Sequence, residues 1–65
     1  MILLTKMDKA PILVNAETIK SVESVPDTLI LFLNGDTLFV EESFETIIAK
    51  TEDFKARIIR KTELN

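Results

Sequence analysis

Two adjacent carboxylate pairs, Glu41-Glu42 and Glu52-Asp53, three serines and a run of cations near the C-terminus are the residues in this chain best equipped for chemistry. Paired carboxylates can divide general acid and base roles, or hold a hard cation when further oxygen ligands converge on the same point. Nothing in the chain spells a calcium loop. A serine becomes a nucleophile only beside a base, and no histidine is present to activate Ser21, Ser24 or Ser43. Cys, Trp and Tyr are also absent, which removes thiol nucleophiles and soft metal ligands, and the single Gly35 excludes a glycine-rich phosphate loop. We therefore expect no catalytic residue, no cofactor site, no metal site and no enzymatic activity. The carboxylate pairs read as solvated charges at a strand end and on a helix face.

The cations are unevenly placed. Residues 50–61 carry five basic residues and two acids, whereas residues 1–49 carry three lysines and eight acids. Lysine and arginine on one surface supply most non-specific affinity for nucleic acid. Against that reading stand a net charge of −3, a pI near 4.8 and the lack of an aromatic stacking pattern. The plainer reading is that these cations complement the negative end of a helix dipole. Lys55, Arg57, Arg60 and Lys61 are kept as a basic surface of secondary interest, for a protein partner ahead of a nucleic acid.

A chain of 65 residues forms a single domain, here residues 1–65, with a small core. Without disulfides or zinc, its stability must come from packing or self-association. The opening MILLTK is far shorter than the apolar core of a secretory signal. The longest uncharged run, residues 28–35, is too short to span a bilayer. We expect a cytoplasmic protein without a membrane span.

The elements follow from periodicity and turn chemistry. Ile2 to Met7 reads as a first strand, Asp8 to Pro11 as a turn, and Ile12 to Val14 as the start of a second strand. Asn15 can cap a short helical turn, with residues 20–25 resuming as strand. Val25-Pro26-Asp27-Thr28 is a turn into Leu29 to Leu33, and Asn34-Gly35 closes a hairpin with Asp36 to Glu41. After Glu42 the apolar period lengthens: Ser43 is a good N-cap, and Phe44, Ile47, Ile48, Phe54, Ile58 and Ile59 mark one amphipathic helix to about Lys61. The fold class is α+β, a small antiparallel sheet or partial barrel of four to five strands followed by one C-terminal amphipathic helix.

A two-residue Asn-Gly loop would set Leu33 opposite Asp36, Leu31 opposite Leu38 and Leu29 opposite Val40. One face then holds Leu29, Leu31, Leu33, Leu38 and Val40, the expected seat of the helix. The other holds Ile30, Phe32 and Phe39, which are core if the first two strands fold over them and an interface if they do not. These three are the candidate interface residues, with a homo-oligomer among the assemblies they would allow.

The order Ile2-Leu3-Leu4-Thr5, Val14-Asn15-Ala16, Ile19, Val22-Glu23, Pro26-Asp27-Thr28, Leu31, Asn34-Gly35, Val40, Glu42-Ser43 and Ile47-Ile48 resembles the FlbD family of small flagellar proteins. That family includes the swarming motility protein SwrD, and the likeness runs from Ile2 to about Ile58. Family members commonly carry Asn-Gly in the first turn, where this chain has Met7-Asp8-Lys9-Ala10-Pro11. The resemblance implies a cytoplasmic role in bacterial flagellar assembly or motor output, with flagellar or stator proteins as partners and no catalytic residues. A small nucleic-acid-binding regulator of motility genes is the alternative. It rests on a likeness of the last strands and helix to LytTR-type DNA-binding domains.

Overall fold

Two hairpins of the protein turn through the same kind of three-residue loop. In the computed structural model, which describes the backbone of residues 1–63 and the side chains of residues 1–55, strands β1 (Ile2–Thr5) and β2 (Pro11–Val14) form the first hairpin. Its loop is closed by Lys6 N–H donating to Ala10 O and Lys9 N–H to Lys6 O, both at 2.9 Å. The second hairpin joins β4 (Asp27–Phe32) to β5 (Thr37–Val40). There Phe32 N–H donates to Asp36 O at 2.8 Å and Gly35 N–H to Phe32 O at 3.0 Å. This is a turn ending in a left-handed residue, the three-residue alternative to the two-residue loop.

The expected Asn-Gly loop is therefore one residue longer than read from the sequence. A type I′ turn needs positive φ at both central residues, and here Gly35 alone of the pair has it, at φ 93°. The extra residue moves the register by one: Leu29 pairs with Phe39, Ile30 with Leu38, and Thr28 with Val40. Since side chains alternate with period two, every residue of one strand changes partners across the sheet. Ile30 and Thr28 thus share the core face with Leu38 and Val40, while Leu29, Leu31 and Phe39 share the other.

Strand β3 (Ile19–Val25) completes a sheet of order β3-β4-β5, with Pro26 alone between Val25 and its partner Asp27. Between β2 and β3 lies a 3₁₀ turn, Ala16–Thr18, capped as expected by Asn15, whose Oδ1 accepts the Glu17 N–H at 3.1 Å. Among the described residues the backbones of the two sheets meet at one isolated bridge, Lys6 with Val40, where Glu41 N–H donates to Thr5 O at 2.8 Å. Two antiparallel sheets of two and three strands followed by one helix make the fold α+β.

Helix α1 (Phe44–Glu63) starts where Ser43 Oγ accepts the Thr46 N–H at 3.1 Å, satisfying one otherwise unpaired donor of the first turn. It packs on β1 and β3. Ile2, Leu4 and Val14 from the first hairpin, Ala16, Ile30 and Val40, and Ile47 of α1 form the buried core. Each large aliphatic side chain in it contributes about 1.5–3 kcal/mol of burial. The first hairpin and the helix thus cover the same face of the three-stranded sheet, the face of Ile30 and Val40, and the helix does not sit on the expected face of Leu29 and Leu31. Within the helix stripe, Ile47 and Phe54 reach the core, whereas Ile48 is exposed because its neighbour already occupies the inward direction.

Candidate interaction surface

The register separates the three expected interface residues. Ile30 is fully buried in the core and cannot meet a partner directly. Phe32 is half-buried, packed on the core margin, and with Ile12 and Leu38 floors an open cleft of about 760 Å³ whose rim is the Asn34–Thr37 turn. Phe39, 46% exposed, lies on the opposite face of the sheet. A two-residue loop would align the trio on one surface; the three-residue loop does not.

The sheet's outer face is built instead from residues expected beneath the helix. Rows Glu23–Leu29–Phe39 and Ser21–Leu31–Thr37 run across β3, β4 and β5. Leu29 and Leu31 are half-buried, Phe39 and Val25 are exposed, and none of the four belongs to the core cluster of the described residues. Large side chains in one contiguous outer strip are what a protein contact uses, whereas single exposed hydrophobics are ordinary. A smaller apolar pair, Leu3 and Leu13, faces outward across the first hairpin.

Sequence reasoning missed Leu29 and Leu31, although a signal for them existed. The tight bend at Pro26 sets Glu23 beside Leu29 and Val22 beside Ile30. A carboxylate on the Leu29 side marks that side as solvent-facing.

The carboxylate pairs are less uniform than expected. Glu41 makes an exposed ion pair with Lys9 at 2.8 Å. Glu42 instead accepts from Thr5 N–H at 2.8 Å and Thr5 Oγ1 at 2.9 Å, tying β1 to the entry of α1. Burial would raise the Glu42 pKa, but the Thr5 backbone and hydroxyl donors, its own N–H and the Lys50 charge together hold it below the ordinary value. The group acts as a structural clasp, a charge-assisted pair of hydrogen bonds between distant segments. Of the basic surface, Lys55 is exposed, and the side chains of Arg57, Arg60 and Lys61 lie outside the described residues. Among the described residues no group of three or more carboxylates gathers as a metal site, and no helix is long and apolar enough to cross a membrane.

These features describe a small α+β domain whose distinguishing surface, among the described residues, is the outward sheet face that carries Leu29, Leu31 and Phe39. A sequence profile described as FlbD, flagellar and swarming motility proteins, matches residues 1–59. The chain belongs to the FlbD family, in agreement with the residue-level resemblance, and so is associated with flagellar and swarming motility. No curated protein and no solved structure matches it.

Proposed function

We propose that this protein is a non-enzymatic, cytoplasmic interaction module of the bacterial flagellar system, supporting flagellar assembly or the motor output of the stators and thereby swarming. The observation that carries the reading is the outer face of β3-β4-β5. Phe39, Leu29 and Leu31 lie opposite a core already closed by the first hairpin and α1, so the fold does not need them exposed. The family supplies the setting, flagellar motility, and the absence of His and Cys from the chain supports a binding role over a catalytic one.

Deleting the gene, counting filaments and measuring swimming speed tests the setting. Intact filaments with weak swimming would favour motor output, missing filaments would favour assembly, and unchanged motility would overturn the proposal. Phe39→Lys tests the surface: the variant should keep its circular dichroism and melting transition yet reproduce the deletion phenotype.

A further inference from the structure

We infer that the outer face of β3-β4-β5 takes a cationic, apolar segment of another protein; this rests on the interaction reading above and names the partner's chemistry. Across the paired positions of that face the charged residues are Glu23, in the row of Leu29 and Phe39, and Asp27, paired with Val25. Both are acidic and both are exposed. Among the described residues neither carboxylate makes an ion pair. Lys20 falls at the irregularity between Ile19 and Ser21, outside the pairing, and Lys9 is engaged with Glu41 at 2.8 Å. The net charge of the whole chain, −3, has the same sign.

Charge also selects among occupants. Stacking two copies of this face about a two-fold axis would bring Glu23 and Asp27 of each into the same interface with no cation between them, which opposes self-association. A phosphate backbone or an anionic lipid surface is repelled by the same carboxylates. A segment that alternates Lys or Arg with aliphatic side chains satisfies both features: its apolar groups cover Leu29, Leu31 and Phe39, and its cations meet Glu23 and Asp27.

The test uses the full chain and a labelled short peptide of alternating Lys and Leu, with a Glu-Leu peptide as counterpart. Glu23→Lys/Asp27→Lys should weaken Lys-Leu binding about tenfold or more, and raising the salt should weaken wild-type binding similarly. Glu17→Lys/Glu52→Lys makes the same change in net charge at exposed positions off this face and should bind nearly as wild type. Equal losses in the two double variants would show a mere net-charge effect and overturn the inference, as would equal binding of the Glu-Leu peptide. A concentration-dependent dimer that Phe39→Lys dissolves would overturn it in favour of a second copy. Swimming speed separates this inference from the reading beneath it. Loss in both Phe39→Lys and Glu23→Lys/Asp27→Lys strains supports the cationic partner. Loss in Phe39→Lys alone removes the cationic partner and leaves the interaction reading standing, whereas no loss in either removes both.

Discussion

The two hairpins solve one geometric problem with different residues. In each, a loop residue takes left-handed backbone: Lys9 at φ 75° in the first and Gly35 at φ 93° in the second. The residue before it braces the turn the same way, with Asp8 Oδ1 accepting the Ala10 N–H and Asn34 Oδ1 accepting the Asp36 N–H, each at 3.0 Å. The second hairpin uses the residue that adopts this conformation freely. The first uses a lysine, which bears a cost of roughly 1 kcal/mol and gains an ion pair to Glu41. Loop geometry is therefore not a property of the Asn-Gly signature alone. The same loop forms at Asp8-Lys9, where the sequence has no Asn-Gly.

The equivalence of the hairpins is tested most severely in the core. Leu4 and Ile30 are both fully buried, one from each hairpin. Truncating either to alanine should cost about 2–5 kcal/mol, enough to unfold much of so small a domain in chemical denaturation. Leu3→Ala and Phe39→Ala, on the outer faces of the same hairpins, should cost far less. Comparable large losses at Ile30 and Phe39 would restore the two-residue loop and its register, in which the two side chains share a face.

Next in size is the loop glycine. A Cβ at Gly35 would meet nothing within 4 Å, so Gly35→Ala isolates the backbone cost of left-handed geometry. We expect a loss of about 1–2 kcal/mol by denaturant titration. A neutral result would mean that the second loop relaxes to another turn.

The clasp between the hairpins follows. Glu42→Gln removes the charge from its bonds to Thr5, and because the site is only half-buried we expect a loss of about 1 kcal/mol at neutral pH. The Glu42 pKa is lowered on folding, so its stabilisation is present above the ordinary unfolded value near 4.5 and is lost as pH falls through the lower folded value. Melting temperature should thus drop more steeply with acid in the wild type than in Glu42→Gln. Parallel pH curves for the two proteins would contradict the clasp.

The smallest effect separates the two loops themselves. Lys9→Gly relieves the left-handed lysine but loses the exposed pair with Glu41 and loosens the unfolded chain. The net gain should be about 0.5 kcal/mol, a rise in melting temperature of roughly 2–4 °C. A fall would show that the ion pair outweighs the backbone strain.

Local structure was largely legible because its causes are local. Ser43 and Asn15 cap the turns that follow them, and the change of period after Glu42 marks the helix, which ends at Glu63, slightly beyond the expected Lys61. Both hairpins were also readable from their turn residues. The candidate surface was legible only in part: Phe39 was recognised, but Ile30 belongs to the core, Phe32 to the cleft margin, and Leu29 and Leu31 were placed under the helix. The run Leu29 to Leu33 is apolar at every position, so its pattern cannot choose between registers that differ by one residue.

By itself, the sequence determined that this is a small α+β chain without His or Cys, with hairpins at Asp8-Lys9 and Asn34-Gly35 and a helix after Ser43. Capping, turn preference and composition act within a few residues, which is why they can be read there. Only the tertiary structure decided which greasy face is core. That choice depends on one residue of loop length and on the first hairpin and helix converging on the same side of the sheet. Their packing, made between residues far apart in the chain, buries Ile30 and Val40 and leaves Leu29, Leu31 and Phe39 facing outward.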